Sequence, residues 1–153
     1  MTTNMKKAIM KITLFLVPAI FSFADDVPFS RVQRIDWNLA EVKNGTTTVI
    51  IDRAKAQREI YSIRFYDGRI RGRGADNLFF APYTVGANNS LSIQRIAGTY
   101  MAPLFEMDSF SEYEYFRHLE KAYRWEFQDW KLRLYTYDDN YEDVILEFIP
   151  IYK

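Results

Sequence analysis

Residues 60–74 alternate apolar and polar side chains around one tight-turn dipeptide, and a chain built from such runs must fold as β-hairpins. Ile60-Tyr61-Ser62-Ile63-Arg64-Phe65 places Tyr61, Ile63 and Phe65 on one face. Asp67-Gly68 follows, a pair that supplies positive φ for a tight turn. Arg69-Ile70-Arg71-Gly72-Arg73-Gly74 then returns, with glycines that mark a bulge or a close backbone approach.

The same grammar recurs on both sides. Trp37 to Val42 alternates, Lys43-Asn44-Gly45 turns the chain, and Thr46 to Ile51 is β-branched. Asp52 to Arg58 is polar and reads as a loop with one helical turn. Tyr83-Thr84-Val85 and Leu91-Ser92-Ile93 flank a longer hairpin loop at Gly86. Ile96 to Met107 reads as a connection. Trp125 and Phe127, Lys131 to Tyr135 and Val144 to Ile149 read as three late strands, separated by turns at Gln128-Asp129 and Asp138-Asp139-Asn140. One segment has the other period: Tyr115, Phe116, Leu119, Ala122 and Tyr123 recur at three and four residues and form a helical stripe. Ser109-Phe110-Ser111-Glu112 fits a capping box at its start. Strands, one helix and strands again, with hairpin-length connections, predict an α+β fold. In it an antiparallel sheet curls into a partial barrel packed around one main helix.

The N-terminus has a different character. Lys6, Lys7 and Lys11 precede an uncharged run from Ile12 to Ala24, and Ser22 and Ala24 supply small residues before a cut. This is the order of a secretory signal, and the run is too short to span a bilayer, which takes about 20 apolar residues. Residues 1–24 are therefore expected to be a signal peptide cleaved after Ala24, with 25–153 a single domain in the periplasm or secreted, without a stable membrane anchor. Removing the three lysines leaves 17 basic residues against 20 acidic ones. That balance argues against nucleic acid as a partner. Cysteine is absent, which excludes a thiol nucleophile and zinc–thiolate sites; at 17% aromatic content the core is expected to be filled by rings instead.

The domain resembles the META domain of HslJ-like heat-shock proteins. Trp37-x-Leu39 with Gly45 is similar to the opening strand and turn of that family. Ile63-x-Phe65, Gly68, Ile70 and Gly72 are similar to the strand pair before its Gly-Cys-Asn signature. Ala75-Asp76-Asn77-Leu78-Phe79 with Tyr83 matches that signature at Asn77, Phe79 and Tyr83. Leu91-x-Ile93 with Thr99-x-Met101-Ala102 is similar to the following segment. Glu112, Phe116 and Leu119 fit the family's helix, and Leu132-x-Leu134 and Leu146-x-Phe148 its closing strands. Asp76 and Pro103 stand where relatives often carry cysteines, so no redox or lipid-anchoring role carries over. The resemblance implies a link to envelope stress and specifies no reaction.

Candidate chemistry is sparse. Arg69, Arg71 and Arg73 share one side of their strand and with Arg64 form a basic patch for an anion or acidic partner; the alternative is a strand whose charges discourage edge pairing. Asp76 and Asn77 are either a binding loop or a tight turn in which Asn77 bonds backbone and Phe79 plugs the core. His118, the single histidine, lies beside the helical stripe and lacks a nucleophile and an orienting group, which makes it a boundary residue. Asp138 to Asp143 resembles the opening of a calcium loop, but Asp143 stands where that loop needs glycine, so a solvated turn is expected. The late tyrosines and tryptophans divide between core and surface.

The sequence thus predicts a non-catalytic envelope protein without metal or cofactor, acting by binding another envelope protein or a small apolar ligand. A pilotin-like secretion or transport chaperone, holding an apolar segment between helix and sheet, is one alternative. An envelope-glycan enzyme using paired carboxylates such as Asp76 and Glu106 is the other.

Overall fold

The computed structural model describes residues 27–52, 54, 59–101 and 109–151; the expected signal peptide at 1–24, Glu106 and most of the Asp52–Arg58 loop lie outside them. Ten strands form one antiparallel sheet that curls on itself. They are β1 (Asp36–Asn44), β2 (Thr47–Ile50), β3 (Ser62–Phe65), β4 (Arg69–Arg73), β5 (Leu78–Val85), β6 (Leu91–Ile93), β7 (Ala97–Gly98), β8 (Arg124–Gln128), β9 (Lys131–Tyr137) and β10 (Asp143–Pro150). Among the described residues one α-helix, α1 (Glu112–Glu120), precedes β8. The hydrogen-bonded order is β6-β5-β4-β3-β1-β10-β9-β8, with β2 on β1 and β7 on β5. The two ends of that order meet. A bridge joins Ser90 to Arg124, Leu91 donates to the Tyr123 carbonyl at 3.0 Å, and Trp125 donates to that of Asn89 at 3.0 Å. The result is a nearly closed barrel, which largely removes free strand edges.

The alternation read from the sequence sets the inward face. Tyr61, Ile63 and Phe65 are all buried, as are Leu132 and Leu134 of β9 and Val144, Leu146 and Phe148 of β10. In β1 the pattern slips once. A bulge between Leu39 and Glu41 lets Trp37, Leu39 and Val42 all point inward although their spacing changes parity. Gly72 is a position of close approach: a Cβ there would lie 2.0 Å from the Ser62 carbonyl oxygen and 2.8 Å from the Phe79 ring.

Aromatic rings fill the barrel from both directions. Phe29, in a 3-10 turn before β1, packs on Phe65, Tyr83 and Trp125 with centroids 4.9–5.5 Å apart. Near the start of β3, Tyr61 stacks edge-on against Phe110 and Tyr115, and its hydroxyl donates to the Phe110 carbonyl at 2.9 Å. Tyr115 and Leu119 turn the helix into this core, both fully buried. Such aromatic pairs contribute roughly 0.5–1.5 kcal/mol each beyond their buried area.

The capping box is displaced from the one expected. Ser111, not Ser109, is the N-cap: its side chain accepts from the Glu114 amide, and the Glu114 carboxylate accepts from the Ser111 amide at 2.8 Å. Two overlapping Ser-x-x-Glu frames exist here. The later one wins because Glu112 is drawn away to the turn after β4. β5 also starts earlier than its alternation shows, since Leu78-Phe79-Phe80-Ala81 is a run of apolar residues without a polar beat.

Candidate functional site

The turn between β4 and β5 is built around Asn77. Its amide nitrogen donates to Glu112 Oε1 at 2.6 Å and to the Met101 carbonyl at 3.3 Å. Its Oδ1 accepts from Thr99 Oγ1 at 2.9 Å and from the Met101 amide at 2.8 Å. The other Glu112 oxygen, Oε2, accepts from the backbone amides of Asp76 and Asn77, both at 2.9 Å. Gly74 makes room for this carboxylate: a Cβ there would sit 2.4 Å from it. Asp76 and Asn77 are thus buried, at 1% and 6% exposure, and inside a knot that ties helix, turn and the segment after β7 together. The geometry corresponds to the tight-turn reading of this pair and leaves neither residue on an exposed binding surface.

That knot holds β4, and with it the arginines, against β3 and β5. β4 is bonded on both sides, to β3 and to β5. It is therefore an interior strand, and edge protection cannot be what its charges are for. Cross-strand pairing lays the outer face out in rows. One row runs Asp36, Arg64, Arg71, Phe80. The next runs Asn38, Ser62, Arg73, Leu78. Between them lies a groove of about 540 Å³, lined among others by Glu59, Arg64, Arg71, Arg73, Leu78 and Phe80.

Within this groove the cations differ. Arg64 Nη1 bonds the Asp36 carboxylate at 3.2 and 3.3 Å. The Arg71 guanidinium lies over the Tyr66 ring at 4.6 Å, and that of Arg64 reaches the same ring at 5.3 Å. Arg73 Nη1 donates to the Asp76 carbonyl at 3.3 Å, which holds the side chain without neutralising it. Among the described residues no carboxylate pairs with Arg69, Arg71 or Arg73. Leu78 and Phe80, 51% and 57% exposed, flank the guanidinium groups with apolar surface. Arg69 stands one pair further along, opposite Pro82, and does not line the groove. The sequence located the arginines but not their apolar flank, because nothing in it placed Leu78 and Phe80 on the same face as Arg73 and Arg71.

A second cleft, about 710 Å³, opens between the β1–β2 hairpin, α1 and the β9–β10 turn. His118 lies on its wall, half-buried and stacked on Phe110 at 6.3 Å. Burial, then the Lys121 ammonium, push its pKa below the ordinary 6.5 against the opposing pull of Glu114, so it is neutral at pH 7. The Asp138 carboxylate accepts from the amides of Asn140 and Glu142 at 2.8 and 3.0 Å, which makes the calcium-like segment a hairpin turn. Of the two carboxylates in the glycan-enzyme reading, Asp76 is buried in the knot and Glu106 lies outside the described residues. No described helix is long and apolar enough to cross a membrane.

Residues 30–146 match the family model described as META domain. Among solved structures, the chain is similar to a protein from Burkholderia xenovorans determined by NMR, with 18% identity, 81% of this chain and 86% of that one covered, and a TM-score of 0.61. It is also similar to a DUF4847 family protein from Bacteroides vulgatus, with 13% identity, coverage of 79% and 95%, and a TM-score of 0.53. At these identities the two structures speak for the fold alone. No curated protein matches the chain.

Proposed function

The chain belongs to the META domain family, and from that premise we propose that it is an exported, non-catalytic binding protein. Its partner is an acidic segment of another envelope protein, received in the groove of Arg64, Arg71 and Arg73. The observation that carries this is the pair Arg71 and Arg73: two guanidinium groups with no carboxylate partner among the described residues, held by a ring and a carbonyl between exposed Phe80 and Leu78. Arginine beside exposed aromatic and aliphatic carbon is the composition of a contact surface rather than of a solvated strand. Export is supported by the basic start, the apolar run and the small residues ending at Ala24. A link to envelope stress is the further expectation of the family resemblance.

A small apolar ligand inside the barrel is the weaker reading, because Trp37, Tyr61, Phe65, Tyr115 and Phe148 already occupy the interior. The cleft that does open between α1 and the sheet carries Glu114, Asp138 and Glu142 in its lining, which counts against a chaperone groove for an apolar segment.

Calorimetry on the mature chain with a capped Glu-Phe-Glu-Leu-Glu peptide tests the proposal. Binding that weakens with salt and drops about tenfold or more in Arg71→Glu is the expected result, since a like charge now faces the probe. Equal affinity for the Lys-Phe-Lys-Leu-Lys counterpart would refute it. Mass spectrometry of the exported chain starting at Asp25 checks the signal.

A further inference from the structure

In the nearly closed barrel β2 keeps an open side. β2 bonds β1 alone. The hairpin between them turns on two residues, Gly45 and Thr46, with Gly45 at φ +54, so Asn44 and Thr47 form the first bonded pair. Bonded pairs then alternate along the ladder, to Val42 with Val49 and on to Ile51, whose amide donates to Ala40 at 2.9 Å. Thr48 and Ile50 fall between these pairs. Their N–H and C=O groups point away from β1, and no backbone group among the described residues meets them. Ile50 is also 69% exposed. Four β-branched residues, Thr47 to Ile50, thus present an open edge.

What lies beside that edge decides what it would accept. Thr47 and Val49 face the 710 Å³ cleft, whose far wall carries Phe110, Glu114 and His118 and whose end carries Asp138 and Glu142. Glu114 is committed to the helix cap and Asp138 to its turn amides; among the described residues no side chain pairs with the Glu142 carboxylate. Arg117 and Lys121, just outside the cleft, both turn to Asp139. Among the described residues the cleft lining holds three carboxylates, one imidazole and no side-chain cation.

We propose that β2 is a site of strand addition: an extended segment of another protein pairs with Thr48 and Ile50 and directs alternate lysine or arginine side chains into the acidic cleft. Main-chain hydrogen bonds supply affinity and the cleft selects the charge of every second residue. The site is independent of the arginine groove on β3–β5 and takes a partner of opposite charge.

The test uses the mature chain and a capped Val-Lys-Val-Lys-Val peptide, followed by amide shifts in NMR spectra and by calorimetry. Shifts concentrated on Thr48, Val49, Ile50 and Glu142, with affinity falling about tenfold for Val-Glu-Val-Glu-Val, are expected. Thr48→Pro removes the outward N–H without touching the ladder to β1, so a variant with native thermal stability should lose binding. Glu142→Gln should weaken it about threefold by removing one unpaired charge. The proposal is overturned if both peptides bind alike, if Thr48→Pro binds as the parent does, or if sedimentation shows β2 already occupied by a second copy of the chain.

Discussion

The outer surface of the barrel has two charged faces, and they handle charge in opposite ways. On β1, β10 and β9 each lysine and arginine meets a carboxylate, while Arg124 of neighbouring β8 lies over the Tyr135 ring at 3.7 Å. Glu147, 1% exposed, accepts from Lys43 at 3.0 Å, Lys131 at 2.6 Å and Arg133 at 2.9 Å. Arg133 also reaches Glu126 at 3.3 Å, Glu126 accepts from the Tyr135 hydroxyl at 2.5 Å, and Lys43 bridges to Glu41 at 3.2 Å. Burial alone would raise the Glu147 carboxyl, but hydrogen bonds from Lys131, Arg133 and Lys43 outweigh it and hold the pKa at about 2. In the groove on β3–β5, Arg64 is paired with Asp36, while Arg71 is held by a ring and Arg73 by a carbonyl, and among the described residues no carboxylate pairs with those two. A charge enclosed by its counterions serves the fold; a charge positioned and left open is available to something else.

Four perturbations separate the faces, in falling order of effect. Glu147→Gln leaves three cations around a neutral amide and should cost about 3 kcal/mol, at the low end for a broken buried pair because the cations keep some contact with water. Denaturant titration reads that loss. Asn77→Ala removes the knot beneath the arginine face and should cost roughly 2 kcal/mol, as the part-buried Glu112 carboxylate and Met101 backbone groups lose their partner. If it costs nothing, the turn is not what holds β4.

Acid distinguishes the faces next. Glu147 has a folded-state pKa depressed from 4.5 to about 2, so its stabilisation is complete above pH 4.5 and is lost as pH falls toward 2. Stability curves of parent and Glu147→Gln should therefore converge in that window, and curves that stay parallel would contradict the network. Arg71→Gln and Arg73→Gln form the smallest perturbation, within about 0.5 kcal/mol of the parent in stability. A larger loss would mean that these arginines, too, serve the fold.

Much of the fold was legible from period alone. Alternation located β3 and β9 with their inward faces, and β1 as far as its bulge, because burial of one side of a sheet imposes a period of two. The sequence was blind where pairing rather than period decides. Nothing local to Glu147 marks it as the meeting point of Lys43, Lys131 and Arg133, which come from two other strands. Glu112 read as a helix cap because the Ser-x-x-Glu frame is local, whereas its partners Asp76 and Asn77 lie in a distant turn. The arginines were visible as a spacing, but whether they guarded an edge or faced a groove depended on β5 pairing with β4.

The contrast between the faces is tested most directly by mapping amide shifts while the capped Glu-Phe-Glu-Leu-Glu peptide is titrated into the mature chain. The account predicts shifts centred on Arg71, Arg73, Leu78 and Phe80, abolished in Arg71→Glu, with the amides around Glu147 and Arg133 unmoved. Shifts spread equally over both faces, or centred on the Glu147 network, would contradict it.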